Sequence, residues 1–286
     1  MNSVPDTLPA TLAGCADAVL RTNDGRAKTA LSKRCAEAWF AGREAGTSMP
    51  IGQGNPPDNP GRPNRPELLE PRQMPRRRPG SEAGRITLLH AVAHIELNAV
   101  DLHWDIISRF YDVRMPIGFY DDWVKSAAEE SKHFNLVCDV LEGLGSHYGA
   151  LPAHAFMWRA ASDTAADFIG RLAVVPMVLE ARGLDVTPGM IEVFRKAGVA
   201  DAVSALETIY AEEVGHVAYG SKWFHFLCGR HDLDPKDTFH GLVRRYFHGA
   251  LKPPFNEEKR AEAGIPPDFY WPLSDQHPAK SVKVDR

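Results

Sequence analysis

One six-residue pattern occurs twice in the chain, at Ala128–His133 and at Ala211–His216, and both copies read Ala-Glu-Glu-x-x-His. On a helix, a glutamate and a histidine three residues apart lie on the same face. Carboxylate and imidazole groups on facing helices are the ligands of paired metal ions in helical bundles. A single Glu-x-x-His arises easily by chance, whereas two copies indicate two matched pairs of metal ligands.

A further glutamate precedes each copy at nearly the same distance. Glu96 lies 34 residues before Glu130, and Glu180 lies 33 residues before Glu213. Both upstream glutamates stand in apolar stretches, as the motif glutamates do. We therefore predict a duplicated site in which each half supplies two carboxylates and one imidazole. The six predicted metal ligands are Glu96, Glu130, His133, Glu180, Glu213 and His216.

Apolar residues one helical turn away place the four glutamates on buried helix faces. Glu130, for example, stands between Ala127 and Phe134. Buried carboxylates that face one another oppose each other's ionisation, so the site requires a cation, and two divalent ions would balance four carboxylates. The alternative is that these acids are surface residues on charged helices. Glu129 and Glu212 are rotated by about 100° from the ligand positions, so we do not predict them to be ligands.

Three other side chains could line the site or hydrogen-bond a ligand. His103 lies two turns after Glu96, and Tyr210 and Tyr219 flank the second motif one turn away on either side. Ordinary packing in the core is the alternative for all three. No catalytic residue beyond the metal ligands is predicted.

Two backbone features also stand near the predicted ligands. Pro176 precedes Glu180 by one turn, where a proline bends a helix, and Gly215 lies inside the second motif. We hypothesise that the bend and the missing side chain open room beside the metals for oxygen or a substrate.

Four long helical patterns carry these residues, and no alternation of period two competes with them, so the chain is predicted to be all-α. The patterns cover residues 85–110, 120–143, 163–182 and 200–228. The connection between the first two is short, and the connection over 143–163 is long. Two antiparallel hairpins joined by one long crossover are the topology of a ferritin-like four-helix bundle.

The remaining segments surround this predicted bundle. Residues 1–45 carry two short helical patterns, and residues 46–84 are rich in proline, which predicts an extended strap or linker. The bundle itself occupies 85–230. Residues 231–286 begin with a helix after Asp234 and continue as a proline-rich extended tail, which we expect to pack on the bundle.

The strap is also basic, since its arginines outnumber the neighbouring glutamates. Solvated arginines that pair with acidic helix faces are the ordinary interpretation of such a segment. The alternative is an arm that contacts the phosphates of a nucleic acid. The arginines concerned are Arg62, Arg65, Arg72, Arg76, Arg77, Arg78 and Arg85.

Composition limits the class of protein. A chain of 286 residues with 44% hydrophobic content can bury one sizeable core, and its net charge of −4 does not favour a surface coated with positive potential. The four cysteines show no C-x-x-C spacing, which favours a reducing compartment. No apolar run reaches the roughly 18 to 20 residues that span a bilayer, and the first residues lack a basic segment. We predict a cytoplasmic protein with no membrane contact.

Several segments, together with the six ligand positions, resemble the ferritin-like superfamily and an uncharacterised bacterial ferritin-like family. The likeness covers roughly residues 31–264, and no ligand position departs from the family pattern. Its most specific segments are Arg65–Leu68, His94–Ala99, Phe119–Trp123, Gly149–His154, Leu179–Met190 and Leu251–Asn256.

That family is placed near the di-iron hydroxylase that modifies tRNA, so the resemblance implies an O2-dependent oxidation at two iron ions, with manganese or a mixed pair as the alternative metals. The leading hypothesis is an oxygenase or hydroxylase that acts on a small molecule or a tRNA and receives electrons from a partner protein. The second hypothesis is an iron-handling protein, such as a ferroxidase, without an organic substrate. A tRNA-modifying hydroxylase ranks third. A dimer is compatible with the enzyme hypotheses, whereas iron storage predicts a multisubunit shell.

Overall fold

A computed structural model of the chain describes residues 7–74, 80–154 and 156–275. Within these ranges the regular elements are helices, and strand-like pairing is limited to isolated bridges of Leu68 with Ala153 and of Leu251 with Ser274. The predicted all-α class is therefore confirmed for the described residues. None of the described helices combines the length and the apolarity that crossing a bilayer requires.

The chain divides into two compact units. The first comprises the described residues of Met1–Arg159 together with Val193–Ala205, and the second comprises those of Ala160–Glu192 and Leu206–Arg286. The segment predicted as one bundle, 85–230, supplies helices to both units.

The first unit begins with two helices, α1 (Leu12–Arg21) and α2 (Gly25–Glu44). The hydroxyl of Thr11 caps α1, and the carboxylate of Asp24 caps α2, each accepting a backbone N–H of the first turn. The second helix has 20 residues and is longer than the short helix that we predicted, because no proline interrupts its run of good helix formers.

The ligand-bearing hairpin of this unit consists of α3 (Glu82–Arg109) and α4 (Ile117–Gly143). Ser81 caps α3, and Pro116 precedes α4 as its N-cap. Both helices lie within three residues of the predicted bounds. Helix α1 packs on α3 and α2 packs on α4, which explains why α3 buries side chains on more than one face.

The strap runs along these helices, with one 3₁₀ turn at Pro71–Gln73. Its backbone is held by hydrogen bonds from Leu12 N to Pro50 O (2.9 Å) and from Gly61 N to Leu20 O (2.6 Å). Arg62 donates to Oδ1 of Asn98 on α3 at 2.7 Å. Arg76, Arg77 and Arg78 lie outside the described residues.

Helix α5 (Phe156–Asp163) lies inside the predicted long connection. The third predicted pattern becomes three consecutive segments: α6 (Phe168–Val174), a π-helical turn (Val175–Glu180) and α7 (Ala181–Lys196). Asp167 caps α6. Helical structure continues well past the predicted end at 182, because buried apolar residues of α7 outweigh the helix-breaking tendency of its glycines and Pro188. Helix α8 (Ala200–Arg230) matches the fourth pattern closely.

The C-terminal part of the second unit begins with α9 (Pro235–Tyr246), whose N-cap is Asp234, as predicted. Two short helices follow, α10 (Glu257–Glu262) and α11 (Pro267–Tyr270). The tail up to residue 275 is thus partly helical rather than extended, because Asn256 caps α10 and Pro267 opens α11.

Candidate metal centre

Helices α3 and α4 bring three of the predicted ligands together in the first unit. Nδ1 of His133 lies 3.3 Å from Oε2 of Glu96 and 3.3 Å from Oε2 of Glu130. Ligand atoms of all three residues lie within 4.8 Å of one another. Glu96 is 3% exposed, and the other two are fully buried. We name these three residues the first triad.

The electrostatics of the first triad favour a bound cation. Burial and the negative charge of Glu130 raise the pKa of Glu96 well above its usual value, and His133 only partly opposes this. Lys28 is a buried lysine of the same unit, and its ammonium forms an ion pair with Asp101. A metal ion between the carboxylates would relieve their repulsion, so the donor set fits a divalent ion.

The other three predicted ligands lie in the second unit, and we name them the second triad. On α8, Nδ1 of His216 lies 3.7 Å from Oε2 of Glu213. Glu180 is the last residue of the π-helical turn. All three side chains are buried, with exposures of 7% for Glu213, 0% for His216 and 6% for Glu180. The inward direction predicted for the motif on α8 and for Glu180 is therefore observed.

The π-helical turn that carries Glu180 has a specific neighbour on α8. Proline has no N–H to donate within a helix. The N–H of Ala181 donates to the carbonyl oxygen of Pro176, five residues earlier, which is the hydrogen bond that defines a π-helix. A Cβ on Gly220 would overlap the side chain of Pro176. Pro176 signalled an irregularity in the sequence, but nothing there indicated a π-turn or its packing against Gly220.

Gly215 behaves differently from Gly220. A Cβ on Gly215 would meet no atom within 4 Å, and the residue is half-exposed. The structure therefore has open space next to Gly215. This residue is rotated by about 200° from Glu213 around the helix axis, so the open space does not lie on the face that carries that carboxylate.

Residues of the C-terminal tail hold the helix that follows Glu180. Arg260 forms a two-pronged ion pair with Asp185, with Nε to Oδ1 at 2.9 Å and Nη2 to Oδ2 at 2.7 Å. The N–H of Asn256 donates to the same carboxylate at 2.9 Å. We call Asp185, Asn256 and Arg260 the tail clamp.

The three supporting residues predicted from sequence have distinct environments. His103 is buried against Trp123, with ring centroids 5.2 Å apart. The hydroxyl of Tyr210 accepts a hydrogen bond from Nδ2 of Asn256 at 2.7 Å, which ties it to the tail clamp. Tyr219 is half-exposed on α8.

The two glutamates that precede the motif ligands are placed as expected from their rotation. The carboxylate of Glu129 lies 3.8 Å from the ammonium of Lys125 on the flank of α4, with 21% of its side chain exposed. Glu212 is half-exposed on α8.

Two histidines that precede Glu96 on α3 bind backbone and loop residues instead of approaching the triad. Nδ1 of His94 lies 2.9 Å from the hydroxyl of Tyr148, and its Nε2 lies 2.9 Å from the carbonyl of His154. Burial, and then the charge of Arg62, lower the pKa of His94 to about 3. Nε2 of His90 accepts the N–H of Gly149 at 2.9 Å. These histidines fix the loop that follows α4.

Comparison with known proteins identifies the family of the chain. A protein of Haemophilus influenzae, named only as an uncharacterized protein, is 40% identical over 208 residues, which are 71% of this chain and 72% of that relative. No solved structure matches the chain. A family model matches residues 21–271, which include both triads and the tail clamp. The chain thus belongs to the family described as "Protein of unknown function (DUF455)".

Proposed function

We propose that the first and second triads together bind two metal ions and that the four ligand-bearing segments form a ferritin-like bundle around them. The observation that carries this proposal is the convergence of Glu96, Glu130 and His133 in the core of the first unit. The second triad repeats the same residue types at nearly the same sequence spacing, which supports an equivalent second ion.

We propose iron as the metal, with manganese or a mixed pair as the alternatives, since carboxylate and imidazole ligands suit both metals. Two carboxylates and one imidazole for each ion are the arrangement of di-iron and di-manganese carboxylate proteins. When bound, a pair of iron ions supplies O2 activation and redox equivalents that no side chain can provide. We infer an oxidoreductase that uses O2 to hydroxylate or otherwise oxidise an organic substrate.

The chain's own residues hold the ions and keep water away from them. Glu96 stands between Val92 and Val100 on α3, and Phe134 follows His133 directly on α4; these three apolar side chains are at least 95% buried. Such a low-dielectric surround strengthens each metal–carboxylate interaction. Carboxylate ligands bind a metal in their ionised form, so metal uptake should weaken as the pH falls.

Metal stoichiometry tests the site. Metal-free protein titrated anaerobically with Fe(II) should bind two ions per chain. Glu130→Ala and Glu213→Ala should each lose at least one ion, because each removes a buried ligand. Their neighbours offer matched controls: Glu129→Ala and Glu212→Ala change the same residue type one position earlier and should retain both ions. Equal metal loss in the ligand and control variants, or no binding by the wild type, would refute the site.

The reaction requires a separate measurement. After Fe(II) loading, mixing with O2 should change the absorbance of the wild type and leave Glu130→Ala unchanged. Repeated O2 consumption that depends on an added reductase and ferredoxin supports an oxygenase. A single round of Fe(II) oxidation by a multisubunit shell would support iron handling instead. Salt-dependent binding of tRNA would identify a nucleic-acid substrate.

A further inference from the structure

Three sulfur atoms converge in the first unit, away from the predicted metal ligands. Cys15 lies on α1, Cys35 lies on α2, and Met49 lies at the start of the strap. Sγ of Cys15 is 3.9 Å from Sδ of Met49, and the thiols of Cys15 and Cys35 are hydrogen-bonded to each other. Sγ of Cys15 also lies 3.7 Å from the carbonyl oxygen of Pro9.

This spacing suits a metal ion surrounded by sulfur. Metal–thiolate bonds are about 2.3 Å long, so three sulfur atoms around one ion in a trigonal plane lie about 4 Å apart. One of the three separations, the 3.9 Å between Sγ of Cys15 and Sδ of Met49, matches that value. Both cysteines are fully buried, whereas Met49 is half-exposed. Met49 therefore offers a route by which an ion could reach the two thiols from solvent.

We propose that Cys15, Cys35 and Met49 form a three-sulfur binding site for a soft monovalent ion, Cu(I). Thiolate and thioether ligands select Cu(I) among the metals of the first transition row. Zinc sites instead take cysteine, histidine or carboxylate ligands, usually four of them, and a methionine is not among these.

The two thiols differ in how readily they lose a proton. The hydrogen bond with Cys35 lowers the pKa of Cys15, whereas the same bond and burial raise the pKa of Cys35. A cysteine binds a metal as its thiolate, so binding of Cu(I) would displace the protons of both Cys15 and Cys35, which leave for solvent. Uptake of Cu(I) should therefore weaken as the pH falls.

A competition titration tests the site in the full-length protein. Under anaerobic conditions, wild-type protein should take one Cu(I) per chain from bicinchoninate, and X-ray absorption should show sulfur as the coordinating element. Met49→Leu, which keeps the size of a half-exposed side chain, should weaken the binding at least tenfold. Cys35→Ser should weaken it as well. Cys138→Ser, which changes another buried cysteine, and Glu130→Ala should bind as the wild type does.

Two outcomes would overturn the proposal. The first is wild-type affinity in Met49→Leu, or an equal loss in Cys138→Ser. The second is conversion of Cys15 and Cys35 to a disulfide by hydrogen peroxide in a protein that takes up no Cu(I), which would identify a redox pair. In that reaction the two thiols give up two protons and two electrons, and peroxide is reduced to water.

Discussion

The two triads share one sequence pattern but rest on different backbones. Glu96, Glu130 and His133 lie on two uninterrupted helices of one hairpin. In the second unit, Glu213 and His216 lie on a regular helix, but Glu180 closes a π-helical turn. The duplicated spacing therefore preserves the types of ligand and their burial, and it leaves the local backbone free to differ.

The means of support differ in the same way. The first triad depends on the packing of neighbouring helices, α1 on α3 and α2 on α4. The helix after Glu180 depends on the tail clamp, in which Arg260 reaches Asp185 across 75 residues of sequence. We therefore expect the second triad to respond to changes far away in the sequence, and the first triad to respond mainly to its own hairpin.

The largest effects are expected from two buried ion pairs, one in each unit: Lys28 with Asp101, and Arg260 with Asp185. Asp185→Asn and Asp101→Asn each leave a buried cation uncompensated and should each cost about 3–5 kcal/mol of unfolding free energy. Urea denaturation measures both losses. Asp185→Asn should in addition weaken binding of one of two Fe(II) ions, because Ala181 and Asp185 lie on the helix that follows Glu180.

The surface pair of Arg43 and Asp121 provides the control for these variants. Its side chains are 36% and 28% exposed, so Arg43→Met, which leaves the hydrogen bond from buried Trp39 to Asp121 in place, should cost less than about 1 kcal/mol. A loss of that small size for Asp185→Asn, or unchanged metal binding in that variant, would show that the tail clamp does not support the second triad.

An intermediate effect is expected from two glycines of α8. Gly220→Ala forces a methyl group against Pro176 and should destabilise the protein by about 1–3 kcal/mol. Gly215→Ala meets open space within a helix and should stabilise it by up to about 1 kcal/mol. Thermal unfolding of the metal-free proteins distinguishes the two. Shifts of the same sign would show that the π-turn does not depend on close contact with Gly220.

Helix positions and the burial of the predicted ligands were largely predictable, because apolar periodicity is local information. The bounds of α3, α4 and α8 lie close to the predicted ones, since each helix has a long stripe of buried residues. The burial of Glu96 and Glu130 follows from apolar residues one turn away. By the same reasoning, Glu129 was correctly expected on a flank.

The features missed by sequence reasoning depend on long-range contacts. Nothing near Asp185 indicates that its partner is Arg260, and nothing near Lys28 indicates Asp101, 73 residues away. The π-turn likewise depends on which residue of α8 meets Pro176. The long extent of α7 was missed because tertiary burial outweighed its glycines and Pro188.

The smallest expected effect uses pH to separate the two ion pairs. Burial lowers the pKa of Lys28 even though Asp101 opposes this, whereas arginine side chains in general stay protonated at the pH values used for such measurements. Between the lowered folded pKa and the higher unfolded pKa of Lys28, the unfolded chain binds more protons, so stability rises with pH. In the same sense, the contribution of Lys28 to folding stability is fully present above its unfolded pKa. This contribution is lost as the pH falls through the folded pKa.

Urea denaturation of metal-free protein between pH 8 and pH 10.5 measures this dependence. Compared with wild type, Lys28→Met should show a smaller rise in unfolding free energy across the interval, since the titrating ammonium is gone. Arg260→Met should lower the free energy at every pH and leave the slope as it is in the wild type. Parallel slopes of unfolding free energy against pH for wild type and Lys28→Met would contradict the lowered pKa of Lys28. A changed slope in Arg260→Met would mean that the second unit also contains a group that titrates in this interval and responds to the tail clamp.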